Sequence, residues 1–222
     1  MITVHHLNNS RSQRILWMLE ELGVPYEIKH YQRDAKTMLA PSALKAVHPL
    51  GKSPVITDGT RTIAESGVIV DYLAQTYGLG QWSPPAGSDA YWQYQYFMHY
   101  AEGSLMPPLL LKLVFSKIGS TPMPFFVKPI VQQVVKKTNQ QFINPQLKLH
   151  LDFLESELSK RDWFAGEQIS AADIQMSFPL EAAAARGGLD QRYPKLAAYL
   201  AKIRARSAYQ RAIDKGGAFV LG

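Results

Sequence analysis

The sequence of 222 residues contains no cysteine. Disulfide bonds, thiolate zinc sites, Cys-x-x-Cys redox chemistry and a cysteine nucleophile are therefore excluded. Any sulfur chemistry in which this protein takes part must use a thiol that a ligand supplies. Hydrophobic residues make up 46% of the chain and charged residues 19%, which is typical of a folded globular protein and not of a disordered one.

Long hydrophobic runs are also lacking. No apolar segment approaches the ~20 residues that a membrane-spanning helix needs. Residues 1–6 lack the basic start and the apolar stretch of a signal peptide. We therefore expect a cytoplasmic protein that has no membrane partner.

Several motifs that define well-known active sites are missing. The chain has no Gly-x-Gly-x-x-Gly after its first predicted strand, no Walker phosphate loop, no His-Glu-x-x-His and no Gly-x-Ser-x-Gly. His5 and His6 are adjacent on a predicted strand and so point to opposite faces, while the other histidines are scattered. We therefore expect no metal site, and nucleotide-binding and hydrolase functions lose most of their support.

Acidic side chains are missing from one long segment, because no Asp or Glu lies between Glu102 and Asp152. Six lysines lie there and equal the formal net charge of +6: Lys112, Lys117, Lys128, Lys136, Lys137 and Lys148. Apolar residues interleave with them, so a basic amphipathic helix at a membrane and a nucleic-acid-binding face are two alternatives. We favour solvated lysines that attract a small anionic molecule, and we expect no nucleic-acid partner.

The N-terminal third alternates strand and helix signals, which is typical of an α/β domain. The pattern predicts a strand at 2–7, a helix at about 10–22, a strand at 26–31, a weak helix at 42–47, a hairpin of strands at 55–56 and 62–63, and a helix at 65–77. Residues 78–88 are rich in glycine and proline and show no periodicity, as expected of a linker. The following residues have only helical periodicities, so we predict an α/β domain at 1–79 and an all-helical domain at 88–222.

Three polar segments at the ends of N-terminal elements can carry chemistry. Residues 8–14 form a polar turn before the first helix, where the Ser10 hydroxyl can cap the helix or face a ligand. Residues 48–54 lead into a strand, and a proline at this position, Pro54, can be cis and present the preceding backbone outward. Glu65 and Ser66 begin a helix whose free amide groups and positive dipole end favour a carboxylate ligand.

Together and in this order, these segments resemble the glutathione transferase superfamily. The resemblance covers essentially the whole chain and is carried by residues 14–23, 49–54, 65–69, 165–166 and 170–173. In the last of these, Ser170 and Asp173 form a capping pair typical of a buried helix of this family. The resemblance implies an α/β thioredoxin-like N-terminal domain and an all-α C-terminal domain. The chain is most similar to the fungal and bacterial, serine-type, theta-like branch.

The resemblance also implies how glutathione binds. Ser53, before a cis Pro54, would pair its backbone with the cysteinyl backbone of glutathione. Glu65 and Ser66 would hold the γ-glutamyl group, and Lys52 would reach the glycyl carboxylate. Glutathione would be a co-substrate, and no permanently bound cofactor is implied.

The catalytic group would stabilise the glutathione thiolate, since a free thiol has a pKa near ~8.5 and is mostly protonated at neutral pH. Ser10 matches the catalytic serine of theta-like and delta-like relatives. Ser12, Asn9 and Arg11 are alternatives for this role. The sequence has no tyrosine before Trp17, which excludes the tyrosine-type variant.

For the second substrate, the resemblance implies a pocket between the domains and a homodimer. The residues expected to line that pocket are Tyr96, His99, Tyr100, Met106 and Phe115. The expected function is addition of glutathione to a small hydrophobic electrophile, or reduction of a peroxide with the same thiolate. The alternative is a catalytically silent binding or stress-interaction module with the same fold.

Overall fold

The computed structural model describes residues 1–217. Its N-terminal part contains β1 (Ile2–Leu7), α1 (Ser12–Leu22), β2 (Tyr26–Tyr31), a 3₁₀ helix (Ser42–Ala46), β3 (Val55–Asp58), β4 (Arg61–Ala64) and α2 (Ser66–Tyr77). The strand order is β2-β1-β3-β4, with β1 parallel to β2 and antiparallel to β3. The predicted α/β thioredoxin-like fold is confirmed.

The second part is helical, as predicted. It contains α3 (Asp89–Tyr100), α4 (Met106–Ser120), α5 (Lys128–Thr138), α6 (Asn144–Lys160), α7 (Ala171–Ala182), α8 (Pro194–Arg204) and α9 (Ser207–Gly216). The π-helical segments Ala101–Leu105, Asn139–Ile143 and Ala183–Gly187 follow α3, α5 and α7. Among the helices of residues 1–217, none combines the length and the hydropathy that crossing a bilayer requires.

Helix α1 begins two residues later than predicted. Ser10 and Arg11 lie in the preceding turn, where the Ser10 hydroxyl accepts a hydrogen bond from the Ser12 N–H (3.2 Å). The helix ends at Gly23, whose φ of 63° is left-handed and whose N–H donates to the Leu19 carbonyl, as its sequence position indicates. The weak helix near residue 42 is a 3₁₀ helix.

Helix α7 is the centre of the helical part, because almost all of its side chains are buried. The predicted capping pair is confirmed at its start, where Asp173 Oδ2 accepts hydrogen bonds from the N–H and the hydroxyl of Ser170 (2.8 and 2.9 Å). Ala171 N–H donates to the Trp82 carbonyl (2.9 Å), which attaches the connecting residues 78–88 to this helix. The exact domain limits stay a prediction.

Helix α9 returns to the N-terminal part and packs on α1. Glu20 on α1 is paired with Arg211 (2.7 Å) and Lys215 on α9 and accepts a hydrogen bond from Tyr26 (2.6 Å). Burial alone would raise the pKa of Glu20, but the hydrogen bonds from Lys215, Tyr26 and Arg211 lower this pKa to about 2. The two parts of the chain are thus held together by a carboxylate that must be ionised.

This pairing predicts an acid-dependent loss of stability. Glu20 is ionised in the folded protein down to a pKa of about 2, whereas its ordinary value is 4.5, so its contribution is complete above pH 4.5 and disappears as the pH falls towards 2. We expect the free energy of unfolding of Glu20→Gln to fall less steeply over this window than that of the wild type. Denaturant titrations at a series of pH values measure the slope, with the exposed Glu27→Gln as control. Equal slopes for wild type and Glu20→Gln would contradict the assignment.

Candidate functional site

A large cleft of about 830 Å³ lies between the N-terminal part and α4. From the N-terminal part it is lined by Asn9 and Arg11 in the turn before α1 and by Lys52 and Ser53 before β3. The peptide bond between Ser53 and Pro54 is cis. The structure therefore brings residues of two of the three polar segments to one wall, and the Ser53 hydroxyl is held there by a hydrogen bond to the His5 carbonyl (2.9 Å).

Ser10 and Ser12 lie behind this wall. The Ser10 side chain is only 4% exposed, and its hydroxyl oxygen lies 2.7 Å from Ser12 Oγ and 3.5 Å from Ser53 Oγ. Ser12 is fully buried, with Oγ 2.9 Å from His6 Nδ1 and 3.3 Å from the Leu7 carbonyl. Of the residues considered for thiol activation, Asn9 and Arg11 line the cleft directly, Ser10 lies next to Ser53, and Ser12 is engaged in the interior.

The opposite wall of the cleft is an apolar face of α4. Met106, Leu110, Val114 and Ile118 recur every four residues, and Leu113 lies beside them, so one stripe of the helix faces the cleft. Leu110, Val114 and Ile118 are 53%, 43% and 43% exposed, because the cleft and not the protein core lies against them.

Only one of the residues expected to line an electrophile pocket, Met106, lies on this wall. Tyr100 is buried, its hydroxyl 2.5 Å from His150 Nδ1, and Tyr96 stacks on it. Phe115 packs against the core, on the other side of α4 from the apolar stripe. His99 lines a different cavity, at the start of α2. The apolar wall therefore differs from the predicted one in every position but Met106.

Cations dominate the polar lining of the cleft. Its described lining residues include no carboxylate and five cationic side chains: Arg11, Arg33, Lys52, Lys117 and Arg186. Burial first and then the charge of Arg11 lower the pKa of both Arg33 and Arg186. Such a cleft favours a bound anion.

A second cavity of about 470 Å³ lies at the start of α2 and includes the predicted Glu65 and Ser66. Glu65 has a φ of 70°, a strained backbone conformation for a non-glycine residue of the kind that is enriched at functional sites. Asp71 and Glu102 also line the cavity, so three carboxylates face it beside the N-terminus of a helix. Helix amide groups can bind a carboxylate and the side-chain carboxylates can bind an ammonium group, so the cavity fits a zwitterion.

The cavity at the start of α2 and the cleft are separated by an ion-pair network. Arg14 is 1% exposed, and its Nη1 donates to Glu102 Oε1 (2.6 Å) and to Ser66 Oγ (2.9 Å). Arg11 Nε donates to the same Glu102 oxygen (2.8 Å), and both guanidinium groups lie over the Phe178 ring. One carboxylate of the second cavity, that of Glu102, therefore holds both the buried Arg14 and the cleft residue Arg11.

The pKa shifts in this network follow from burial and charge. Burial lowers the pKa of Arg14 to about 10 although Glu102 opposes the shift, so Arg14 stays charged at neutral pH. Burial would raise the pKa of Glu102, but the charges and hydrogen bonds of Arg14 and Arg11 lower it. Both groups are thus ionised in the folded protein.

Sequence reasoning did not assign a role to Arg14, Glu102 or Gln175. Arg14 and Gln175 are polar residues among the buried side chains of α1 and α7. A polar residue at such a position is the sequence signal from which a role could have been predicted. Gln175 Nε2 donates to Ser66 Oγ (3.4 Å), so the Ser66 hydroxyl has partners on two other helices.

The comparisons with known proteins agree with this arrangement. Residues 10–76 match the family model of the glutathione S-transferase N-terminal domain, and residues 115–207 match that of the C-terminal domain. Glutathione S-transferase 1 of Saccharomyces cerevisiae is 35% identical over 226 residues, covering 98% of this chain and 96% of the yeast protein. Glutathione S-transferase 3 of Schizosaccharomyces pombe is 39% identical over 219 residues, covering 97% of this chain and 88% of that protein. A crystal structure of a glutathione S-transferase from Actinobacillus pleuropneumoniae superimposes with a TM-score of 0.81 at 34% identity, covering 99% of this chain and 94% of that one.

The mixed sheet, the cis proline and the helical second part define a two-domain protein with a thioredoxin-like domain. The chain belongs to the glutathione S-transferase family and is a glutathione transferase. The serine-type, theta-like branch stays a prediction.

Proposed function

We propose that this glutathione transferase binds glutathione across the two cavities and adds its thiolate to a small hydrophobic electrophile. The γ-glutamyl end lies in the cavity of Glu65 and Ser66, where the carboxylates suit its ammonium group and the helix N-terminus suits its carboxylate. The cysteinyl backbone pairs with Ser53, and Lys52 holds the glycyl carboxylate. The observation that carries this proposal is the occurrence of Lys52 and Ser53 on the cationic wall that faces the apolar stripe of α4.

The thiol then lies near the turn that contains Ser10 and Arg11. The Ser10 hydroxyl oxygen already accepts the Ser12 N–H, and its own proton can turn from the neighbouring serine oxygens to the ligand sulfur. The guanidinium groups of Arg11 and Arg33 add positive potential to the wall. Each of these effects favours the thiolate over the thiol.

The electrophile occupies the apolar stripe of α4. There the thiolate attacks the electrophilic carbon, a sulfur–carbon bond forms, and the leaving group departs with the electron pair of the bond that breaks. An organic peroxide in the same position would be reduced by the same thiolate, with a second glutathione completing the disulfide. We also expect the homodimer that the resemblance implies, and sedimentation of the protein by analytical ultracentrifugation would test it.

The test follows the ultraviolet absorbance of the glutathione thiolate against pH in the wild type, in Ser10→Ala and in Arg11→Gln. We expect the wild type to bind glutathione with a thiol pKa at least ~1 unit below the free value of ~8.5. Ser10→Ala should bind glutathione and lose most of this depression, while Arg11→Gln should lose a smaller part. The exposed Ser120→Ala and Arg61→Gln are the matched controls and should behave as the wild type.

Other outcomes distinguish the alternatives. Loss of the depression in Arg11→Gln alone transfers the main role to Arg11. Binding with an unshifted thiol pKa in the wild type contradicts the proposed activation, and absence of binding favours the silent interaction module.

A further inference from the structure

A third cavity, of about 610 Å³, lies in the helical part among α4, the start of α6 and the connection from α7 to α8. We name it the basic cleft, and its principal polar residues are Lys112, Asn144, Lys148, Arg186, Arg192 and Tyr193. Four of these side chains are cationic, and no carboxylate is among the described residues that line it. Lys52, Ser53, Glu65 and Ser66, the residues proposed to hold glutathione, do not line it, and Arg186 is the one described residue that lines both this cavity and the cleft beside α4.

The charges of the basic cleft are only partly neutralised. Lys148 pairs with Asp152 (2.5 Å) and Arg192 with Asp190 (2.8 Å). Lys112 donates instead to the amide oxygens of Asn139 and Asn144 (3.0 and 2.8 Å), and within residues 1–217 no carboxylate lies within ion-pair distance of it. The cleft therefore holds positive charge in excess.

The two existing ion pairs do not prevent a ligand from binding. The side chains of Lys148 and Asp152 are 63% and 48% exposed, and those of Arg192 and Asp190 are 66% and 51% exposed. Exposed pairs contribute little to stability, so Lys148 can turn to a more highly charged ligand at small cost. Arg192 holds Asp190 through two parallel hydrogen bonds (2.8 Å each) and turns at a larger cost. The absence of acidic residues between Glu102 and Asp152 keeps the surrounding potential positive.

Two backbone irregularities border the basic cleft, and they are independent of its charge. The π-helical segment after α5 contributes Gln140, and the one after α7 contributes Arg186 and Gly187. Single π-helical turns are frequent at functional sites. A Cβ on Gly187 would lie 2.7 Å from the Leu109 side chain, so a side chain at this position would push the wall of the cleft away from α4.

The lining chemistry indicates the class of ligand. Ammonium and guanidinium groups stand beside the amide groups of Gln140 and Asn144, whereas among the described lining residues the only aliphatic side chains are those of Pro145 and Leu151. This composition is the reverse of the apolar stripe that faces the proposed electrophile. Cations combined with amide donors are the groups that bind phosphate oxygens in proteins.

We propose that the basic cleft binds the phosphate groups of a small phosphorylated molecule, at a site separate from the glutathione site. Its volume lies within the range of small-molecule sites, so the ligand can be larger than a single phosphate. The lysines at 112 and 148 of the acid-free segment thereby acquire a role, whereas Lys136 and Lys137 on α5 are exposed and lie outside the cleft.

The test is isothermal titration calorimetry of the full-length protein with inorganic pyrophosphate and, in a second series, with ADP. We expect saturable one-to-one binding that weakens with rising salt, with a Kd raised about tenfold or more in Lys112→Gln/Arg192→Gln. The matched control, Lys136→Gln/Lys137→Gln, removes the same number of charges, from exposed positions of the acid-free segment, and should keep the wild-type Kd. Saturating glutathione should leave the Kd for pyrophosphate unchanged.

The two titration series, with pyrophosphate and with ADP, distinguish a free phosphate anion from a phosphate ester as the ligand. Tighter binding of ADP than of pyrophosphate indicates an esterified ligand, and the reverse indicates the free anion; either supports the site. An equal rise of the Kd for pyrophosphate in the two double variants overturns the proposal, because it would show that the anion responds to the overall positive potential and not to a defined site. Binding of a single-stranded oligonucleotide without binding of pyrophosphate or ADP also overturns it, as does competition by glutathione.

Thermal melting by circular dichroism verifies that each variant is folded. If Lys112→Gln/Arg192→Gln is unstable, the exposed Lys148→Gln serves instead, with the same direction of change in the Kd for pyrophosphate. An unchanged Kd in a folded Lys148→Gln would then count against the site.

Discussion

Replacing Asp173 by alanine is expected to lower the free energy of unfolding by about 3–5 kcal/mol. The carboxylate is fully buried at the start of α7, and its two oxygens accept four hydrogen bonds. Besides the two from Ser170, the Phe164 N–H (3.0 Å) and the Tyr199 hydroxyl (2.7 Å) donate to Oδ1. Alanine leaves these donors buried without acceptors, and the packing of α7 against α8 loses its polar link.

Two variants calibrate this expectation. Tyr199→Phe removes one donor and keeps the ring, so its cost should be about 1–3 kcal/mol, well below that of Asp173→Ala. Asp190→Asn changes an exposed carboxylate and should stay within about 0.5 kcal/mol of the wild type. Urea unfolding followed by circular dichroism measures all three. A loss below 1 kcal/mol for Asp173→Ala would contradict the role of the carboxylate.

The second large effect is expected at Glu102. Glu102→Gln keeps the shape of the side chain but leaves the buried Arg14 without a counter-charge, which should cost about 3–5 kcal/mol. Because Arg14 also donates to Ser66, we expect the affinity for glutathione to fall as well. The surface variant Asp152→Asn, which breaks an exposed pair, is the control and should change neither quantity measurably.

A double variant that lacks both charges separates the cost of an uncompensated buried charge from the net contribution of the ion pair to stability. Arg14→Met/Glu102→Leu removes both charges and should recover most of the stability lost in Glu102→Gln, since apolar pairs often replace buried ion pairs without loss. Glutathione affinity should not recover, because the Ser66 hydroxyl has lost the Arg14 donor and keeps only the longer hydrogen bond from Gln175. Recovery of both quantities would show that Arg14 does not position the start of α2.

The sequence predicts local conformation best where a site segment is short. Ser53 with the cis Pro54, and Glu65 with Ser66, each lie within one loop and the element that it enters, so their local geometry follows from neighbouring residues. The conformation of these segments could be predicted because it depends little on distant parts of the chain. The roles given to them await the glutathione experiments.

The apolar wall of the cleft contains other residues than those expected to line the electrophile pocket, apart from Met106. Phe115 is nine residues from Met106, which is about half a turn out of phase on an α-helix, whereas Leu110 and Val114 are in phase. That part could have been predicted from periodicity. The π-helical segment Ala101–Leu105 between α3 and α4 could not be predicted from periodicity. It changes the helical phase between Tyr100 and Met106, so that Tyr100 is buried whereas Met106 lines the cleft.

The sequence by itself determined the division into an α/β part and a helical part, the approximate positions of the elements in the N-terminal part and the absence of any protein thiol chemistry. These properties depend on hydrophobic periodicity, capping residues and composition, which are local. Only the tertiary structure decided that Arg14 and Glu102, separated by 88 positions, form a buried pair, and that lysines of the acid-free segment meet Arg192 in one cleft. Such contacts depend on how helices pack, which is set by the sum of many side-chain contacts across the chain and leaves no signal in any single segment.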